Sequence, residues 1–365
     1  MIGPRSPRAA RTAGPRPHWA ARVENIKNRQ VGRLLRALGW DLRLQPYHGY
    51  GTPHEVRLLA RVLYATGRTP ADFHDQPVTD MRSMAVRGWR NFAGQVAPDR
   101  TVHASIGGRE FTLRADRTGL VDATLDVDLA PGRHEVRMWT ASDNAVTADV
   151  TVFDPSARVG VVSDIDDTVM VTWLPRPLLA FWNAFVVHQS TRRPVPGMPG
   201  LYQRIAREYP SAPFIYLSTG AWNVFPVLRR FLYRNGYPEG PLLLTDWGPT
   251  NTGFFRSGRD HKTRSLERLR AMFPQTRWLL IGDDGQHDPA IYGDFAQRHP
   301  TAVAAVAIRE LTEPEQLLAH GTRRPKADQD QHLGGPIQVS APDGHHLETE
   351  LERAGILRPI RGTPQ

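Results

Sequence analysis

The hydrophobic and polar positions of the chain follow one pattern before about residue 158 and a different pattern after it. Before that point, residues 97–153 contain short segments in which apolar and polar side chains alternate, and this predicts half-buried antiparallel strands. After it, short apolar runs alternate with helical patterns near 224–235, 262–273 and 289–298, which predicts a parallel, doubly wound sheet. The apolar runs are Val159 to Val162, Phe214 to Leu217, Leu242 to Leu244, Trp278 to Ile281 and Ala302 to Ile308.

An amphipathic helix is predicted at the N-terminal side of both regions. Apolar side chains recur every three to five residues from Trp19 to Leu38, with arginines between them. The fold class is therefore α/β, preceded by a small β-sandwich-like domain and this helix. The predicted divisions are a disordered basic tail at 1–18, the basic helix at 19–40, the β-rich domain at 50–155, the α/β domain at 156–320, and a C-terminal tail with a possible short helix at 321–365.

The basic charge of the chain is concentrated at one end. The formal charge is +9 over 365 residues, and residues 1–40 carry nine basic side chains against one acidic side chain, Glu24. The rest is nearly neutral, so we expect no nucleic-acid binding. A basic amphipathic helix can instead lie on an anionic membrane, at roughly 1 kcal/mol per basic residue near the surface. The alternative is a packed helix with a solvated arginine face.

Other features of the composition limit the chemistry. The chain has no cysteine, so a nucleophile must be oxygen or nitrogen. No segment approaches the roughly 20 apolar residues of a membrane span, and no apolar segment typical of a secretion signal follows the basic N-terminus. The expected compartment is the cytoplasm, with the inner face of the membrane as a peripheral site. Only three basic residues are lysines, and Lys262 is the one inside a predicted domain.

Polar residues follow three of the apolar runs, where the ligand crevice of a parallel sheet lies. Asp164, Asp166 and Thr168 follow the first run. Ser218, Thr219 and Gly220 follow the second, and Asp283, Asp284 and Asp288 follow the fourth. Clustered carboxylates repel one another unless a cation lies between them, and oxygen ligands suit Mg²⁺. The alternative is that these residues only cap the helices that follow.

These motifs, in this order, resemble the haloacid dehalogenase (HAD) superfamily of phosphotransferases. The stretches DIDDT, YLSTGAWNVFPVLRRFL, PLLLTDWG, HK and LLIGDDGQHDPAIY are similar, more narrowly, to the phosphatidate-phosphatase catalytic-domain family of actin-patch-associated proteins and their bacterial relatives. The resemblance covers about residues 158–310. It implies a HAD-type Rossmann-like sheet and a hydrolase that requires Mg²⁺.

The resemblance also implies roles for individual residues. Asp164 would be the nucleophile that forms an aspartyl-phosphate, and Asp166 the general acid and base. Mg²⁺ would be held by Asp164, the backbone carbonyl of Asp166, and Asp283. The residues that would bind the substrate phosphate are Ser218, Thr219, Gly220 and Lys262. Thr168, Asp284 and Asp288 would support the site; one of the two aspartates would orient Lys262 and the other would bind the metal through water.

Phosphatidate, hydrolysed to diacylglycerol and phosphate, is the expected substrate. Large apolar side chains between Trp173 and Val187 could line an acyl-chain slot or simply cover the sheet. The carboxylates on one face of residues 120–129 could bind calcium and lipid or form a solvated strand face. The alternatives to a lipid phosphatase are a phosphatase for soluble esters, such as a sugar phosphate or a nucleotide, and a non-catalytic lipid-binding adaptor.

Overall fold

The computed structural model describes two β-sheets, each associated with its own apolar core. The residues that it describes are 34–35, 37–65, 95–141, 145–171, 193–245, 254–285, 287–312, 315–316 and 336–359. Three predictions lie outside these ranges: the tail at 1–18, most of the helix at 19–40, and the apolar insert from Trp173 to Val187. Residues 34, 35 and 37 are helical. Among the residues that the structure describes, no helix is long and apolar enough to cross a bilayer.

The N-terminal region forms a mixed nine-stranded sheet, and the antiparallel strands predicted within residues 97–153 are confirmed as part of it. Its pairing order is β1-β3-β2-β9-β8-β5-β6, and β4 and β7 also pair with β3. All of these pairs are antiparallel except β2 with β9. The strands are β1 (Asp41–Pro46), β2 (Gly49–Gly51), β3 (Glu55–Ala65), β4 (Gln95–Val96), β5 (Thr101–Ile106), β6 (Arg109–Arg114), β7 (Leu120–Asp126), β8 (Gly132–Trp139) and β9 (Val146–Val152).

The C-terminal region forms a parallel six-stranded sheet in the order β12-β11-β10-β13-β14-β15. The strands are β10 (Val159–Ser163), β11 (Phe214–Ala221), β12 (Leu242–Thr245), β13 (Arg277–Asp283), β14 (Val303–Arg309) and β15 (Ile337–Ala341). The first four contain four of the predicted apolar runs, and β14 contains the fifth except for its first residue, Ala302. From β10 the chain adds β11 and β12 on one side of the sheet and then β13, β14 and β15 on the other, so the strand order reverses between β10 and β13. Open α/β sheets bind ligands at such a point.

Helices connect and cover these parallel strands. They are α1 (Met198–Glu208), α2 (Phe225–Arg234), α3 (Phe254–Met272), α4 (Asp288–Arg298) and α5 (Gly344–Arg353). In α2, the buried residues Phe225, Leu228, Phe231 and Leu232 recur at helical spacing, and a proline stands in the first turn. Helix α1 packs on α5, and α3 packs on α4. The helices predicted at 224–235, 262–273 and 289–298 are therefore confirmed, although α3 begins eight residues earlier than predicted.

The C-terminal segment is a correction to the sequence interpretation. The interpretation of 321–365 as a tail is wrong for residues 337–353, because β15 pairs in parallel with β14 and α5 buries Leu347 and Leu351. The short helix predicted in this segment is confirmed as α5. Asp343 caps α5 by accepting hydrogen bonds from the backbone amides of His345 and His346, both at 3.0 Å. That cap, followed by leucines four residues apart, is the signal in the sequence that marks a packed helix.

The two sheets meet through a shared apolar interface that also contains charges. Tyr47 stacks on Trp222 with ring centroids 4.2 Å apart, and Tyr50 stacks on Phe273. Beside them, Asp122 of β7 accepts two hydrogen bonds from the buried Arg57, at 2.7 and 2.8 Å.

Asp122 also binds Arg268 of α3 at 3.0 Å, so this carboxylate connects the two sheets. The acidic face of β7 forms no metal-binding cluster among the residues that the structure describes.

Candidate active site

The end of β10 holds Asp164 in a fixed backbone position. The amide of Asp164 donates to the carbonyl oxygen of Ile281 on β13 at 2.9 Å. The hydroxyl of Ser163 donates to the carbonyl oxygen of Asp164 at 2.6 Å and therefore accepts from the hydroxyl of Tyr202, also at 2.6 Å. Ser163 and Tyr202 are buried. The sequence interpretation missed Tyr202, because nothing in the sequence of an amphipathic helix indicates that one of its tyrosines bonds to Ser163.

Lys262 of α3 lies between two carboxylates. Its ammonium nitrogen is 2.5 Å from Oδ1 of Asp164 and 2.5 Å from Oδ1 of Asp288. All three side chains are at least 98% buried. The structure therefore brings the predicted lysine to the predicted nucleophile, and it identifies Asp288, rather than Asp284, as the second partner of the lysine.

Asp166 lies beside Ser218 at the ends of β10 and β11. The hydroxyl of Ser218 donates to Oδ2 of Asp166 at 3.1 Å and accepts from the amide of Gly220 at 2.9 Å. Thr219 is half-buried next to them, and its carbonyl oxygen accepts from the hydroxyl of Thr245 at 2.8 Å. The residues predicted to bind phosphate thus lie together at one edge of the sheet.

Three carboxylates form a cluster that fits a cation. Asp164, Asp283 and Asp288 each offer an oxygen within 4.8 Å of the others, and all three are buried. Each of them also has an Oδ2 atom that is buried without a hydrogen-bond partner. Buried carboxylate oxygens are costly without a partner, and oxygen ligands of this kind suit Mg²⁺. These residues therefore fit the metal that the resemblance implies.

The electrostatics of the cluster support the same conclusion. Burial, together with Asp288 and Asp166, raises the pKa of Asp164 well above its usual range, although Lys262 opposes this. Burial, Asp288 and Asp164 likewise raise the pKa of Asp283. Burial alone would lower the pKa of Lys262, but its contacts with Asp164 and Asp288 outweigh burial and raise it. One ammonium thus faces more buried negative charge than it can neutralise.

Gly282 allows α4 to approach the end of β13. A methyl group at this position would lie 2.6 Å from Oδ2 of Asp288 and 2.8 Å from a ring carbon of Tyr292. Both distances are too short for a side chain to fit without movement. The glycine that precedes Asp283 in the sequence therefore permits Asp288 to reach the cluster.

The remaining predicted residues have structural contacts. Oδ1 of Asp284 accepts from the backbone amide of Leu311 at 2.8 Å, so this side chain holds a loop. Thr168 is buried within the turn that follows Asp166. His261 bonds to the carbonyl oxygen of Leu243 at 3.2 Å, and burial lowers its pKa to about 4. Trp222, which follows the Ser218 motif, is packed on Tyr47.

One protein-family model matches the segment of the chain that contains the candidate site. Residues 159–310 match the family model described as "Phosphatidate phosphatase APP1, catalytic domain". This segment therefore matches the phosphatidate-phosphatase catalytic-domain family. The resemblance to the phosphatidate-phosphatase catalytic-domain family, predicted from the motifs, is confirmed, and every residue of the candidate site lies inside the matched segment.

Two fungal proteins are similar to the chain over a limited part of their length. The "Phosphatidate phosphatase APP1" of Saccharomyces cerevisiae is 26% identical over 152 residues, which is 41% of this chain and 26% of that protein. An uncharacterized protein of Schizosaccharomyces pombe is 22% identical over 176 residues, 47% of this chain and 29% of that protein. The chain thus spans between a quarter and a third of the length of these relatives.

Similarity to solved structures is weak. A carbohydrate acetylesterase from Xanthomonas citri aligns over 86% of this chain and 75% of its own, with 10% identity and a TM-score of 0.28. The adhesin InvE of Yersinia pseudotuberculosis aligns over 32% of this chain and 33% of its own, with 13% identity and a TM-score of 0.19. These values are too low to inform fold or function.

Proposed function

We propose that this chain is a Mg²⁺-dependent, HAD-type phosphomonoesterase that works through an aspartyl-phosphate, with phosphatidate as its substrate. The observation that carries the proposal is the buried contact of Lys262 with Asp164 inside the segment that matches the phosphatase family. A free carboxylate oxygen held beside a cation is suited to attack phosphorus, since the cation offsets the negative charge of the phosphoryl group.

In the proposed first step, Oδ2 of Asp164 attacks the phosphorus. The bond from phosphorus to the leaving oxygen breaks, and Asp166 gives its proton to that oxygen. The products are a phosphorylated Asp164 and an alcohol, which is diacylglycerol when the substrate is phosphatidate. The hydroxyl of Ser218 donates to Asp166 at 3.1 Å; its single hydrogen would turn to a phosphoryl oxygen when substrate binds, while Lys262 would hold Asp164 in line.

In the second step, Asp166 takes a proton from water, and the water oxygen attacks the phosphorus. The bond between phosphorus and Asp164 breaks, which releases inorganic phosphate, restores the carboxylate of Asp164 and returns the proton to Asp166. One residue can serve both steps because the proton lost in the first is recovered in the second.

The metal would be held by Asp164, Asp283 and the backbone carbonyl of Asp166, with Asp288 as a third nearby carboxylate. When bound, Mg²⁺ supplies positive charge that lets an anionic nucleophile meet an anionic phosphoryl group. The fit rests on the three buried oxygens without partners and on the raised pKa values of Asp164 and Asp283.

The test is phosphate release by the purified chain from phosphatidate in mixed vesicles and from a panel of soluble phosphomonoesters, with Mg²⁺ or EDTA. We expect release from phosphatidate that requires Mg²⁺. Turnover of soluble esters alone would reject the lipid substrate and leave a phosphatase of another specificity. Binding to lipid with no phosphate release from any ester would reject the enzyme and favour an adaptor.

A further inference from the structure

Arg309, the last residue of β14, lies where several strand ends meet. Its side chain is 3% exposed. Its guanidinium donates to the carbonyl oxygen of Asp167 at 2.8 Å, to the carbonyl oxygen of Pro342 at 3.2 Å, and to both carboxylate oxygens of Glu315 at 2.7 and 2.8 Å. These contacts join the turn after β10, the loop after β14 and the residue that follows β15.

Glu315 is itself fixed by further hydrogen bonds. Its Oε2 atom accepts from the amide of Thr312 at 2.8 Å and from the hydroxyl of the same residue at 2.9 Å. Burial would raise the pKa of Glu315, but Arg309 and Thr312 outweigh it and lower the pKa. Arg309 is therefore a buried cation whose charge is neutralised by Glu315. Its planar guanidinium has several N–H donors in fixed directions, so it binds its acceptors more firmly than the ammonium of a lysine would.

The turn that Arg309 contacts carries the proposed acid. Asp167 directly follows Asp166 and has a φ of 57°, the left-handed region that non-glycine residues seldom occupy. The turn is closed by hydrogen bonds from the amide of Asp167 to the carbonyl oxygen of Met170 at 2.8 Å, and from the amides of Val169 and Met170 to that of Ile165. An unusual backbone conformation persists only where its surroundings enforce it.

The same arginine is also tied to the strand that supplies Asp283. The amide of Asp284 donates to the carbonyl oxygen of Arg309 at 3.0 Å, and Oδ1 of Asp284 accepts from the amide of Leu311. The backbone and the side chain of one residue therefore connect the end of β13 to the turn after β10. Those two segments supply Asp164, Asp166 and Asp283.

We propose that Arg309 is a positioning residue of the active site: acting through the carbonyl oxygen of Asp167 and neutralised by Glu315, it holds the turn that carries Asp164 and Asp166 in its working position. The inference rests on the proposed function for its catalytic consequence. Its physical basis, the restraint of the turn, does not depend on any substrate. It also gives the C-terminal segment a link to the site, because Pro342 belongs to that segment.

The experiment compares Arg309→Gln with a matched control, Arg204→Gln. Arg204 of α1 is also a buried arginine, 9% exposed. It binds Glu348 at 2.5 Å and Glu352 at 2.6 Å, and it donates to the carbonyl oxygen of Arg358. It therefore has the same kind of partners as Arg309 but makes no contact with the site.

Two quantities are measured on the full chain, well below the unfolding temperature of each variant. The first is hydrogen exchange of a peptide spanning residues 164–171. The second is kcat and KM for the ester that the wild-type chain hydrolyses. We expect Arg309→Gln to speed exchange in this peptide by about tenfold or more and to lower kcat by about tenfold to a hundredfold, with KM within about twofold. Arg309→Lys should give intermediate values.

Arg204→Gln should lower the unfolding temperature, speed exchange in α1 and α5, and leave both kcat and the 164–171 peptide as in the wild type. The proposal is overturned by wild-type exchange and kcat in Arg309→Gln, or by an equal loss of kcat in Arg204→Gln. If Arg309→Gln does not fold, Glu315→Gln, which keeps the shape of the partner, is measured in the same way. If the wild type hydrolyses no ester, the proposed function fails, and hydrogen exchange alone decides whether Arg309 restrains the turn.

Discussion

The ammonium nitrogen of Lys262 lies 2.5 Å from Oδ1 of Asp164, and both side chains are about 98% buried. Neither charged group is solvated by water, so their mutual contact compensates the two charges. The lysine also forms an ion pair with Asp288. Removing one partner of a buried ion pair leaves an uncompensated charge, which typically costs about 3–5 kcal/mol. The pair is therefore part of the stability of the fold as well as part of the site.

We predict that Lys262→Met lowers the free energy of unfolding by about 3 kcal/mol at pH 7 and abolishes phosphate release. The deficit should shrink as the pH falls toward 5. Without the lysine, the pKa of Asp164 rises further in the folded state, so protonation of this carboxylate favours the folded state at low pH. Urea unfolding at several pH values measures this. A deficit that stays constant between pH 5 and 8 would contradict the prediction.

Asp164→Asn should separate activity from stability. We expect phosphate release to fall by at least about a thousandfold, because an amide cannot form the aspartyl-phosphate. Lys262 keeps its pairing with Asp288 in this variant, so no buried charge is left without a partner. Because the raised pKa of Asp164 means that its ionised form opposes folding at neutral pH, the variant in EDTA should unfold at the wild-type temperature or above it.

Asp294→Asn is the control for this substitution. Asp294 lies on α4 and pairs with Arg298 at 3.2 Å, away from the site, and its replacement should leave the rate unchanged. Activity that survives Asp164→Asn would exclude a covalent mechanism through this residue.

Mg²⁺ binding should depend on the carboxylate cluster. We predict that Asp283→Asn weakens the Mg²⁺ affinity of the substrate-free chain by at least about tenfold, since a neutral amide is a poorer ligand than a carboxylate. Titration calorimetry measures the dissociation constant without any turnover. Asp294→Asn again serves as the control, and an unchanged affinity in Asp283→Asn would remove this residue from the metal site.

Two histidines with lowered pKa values should make the fold sensitive to acid. Burial lowers the pKa of both His48 and His261 from 6.5 to about 4. Between pH 6.5 and 4, the unfolded chain therefore binds protons that the folded chain does not, and each histidine lowers stability by up to about 1.4 kcal/mol per pH unit as the pH falls.

The variant His48→Gln/His261→Gln tests this. Its stability relative to the wild type should improve steadily from pH 6.5 to 4 in urea titrations. The exposed His54 is the control, and His54→Gln should follow the wild-type curve. A constant difference between the double variant and the wild type across this range would show that the two histidines do not titrate as buried neutral groups.

The sequence predicted the parts of the molecule that are strongly apolar or chemically distinctive. All five apolar runs lie in parallel strands, and Asp164, Asp166, Ser218 and Asp283 come together because parallel strands present their carboxyl ends at one edge. Lys262 reaches the same edge from helix α3. β15 escaped prediction because it has no run of buried apolar side chains: of its five residues only Ala341 is buried. The roles of Asp284 and Asp288 could not be divided from sequence, since they depend on which side of a tight turn each side chain faces.

The basic N-terminal segment gives a final prediction, and the structure sharpens the variant that tests it. Leu35 and Trp40 pack against the core of the β-rich sheet, so a truncation that spares the fold should remove only residues 1–33, which carry eight basic side chains and one acidic side chain. We expect this truncation to weaken binding to anionic vesicles by at least tenfold, since each basic residue near the surface contributes up to about 1 kcal/mol. Hydrolysis of a small soluble ester should be spared.

Replacing Arg5, Arg8, Arg11 and Arg16 by glutamine should give a partial loss of vesicle binding. The difference from the wild type should disappear at high salt, because screening removes the same attraction in the wild type. Vesicle binding that is unchanged by the truncation would assign these arginines to a solvated surface with no role at a membrane.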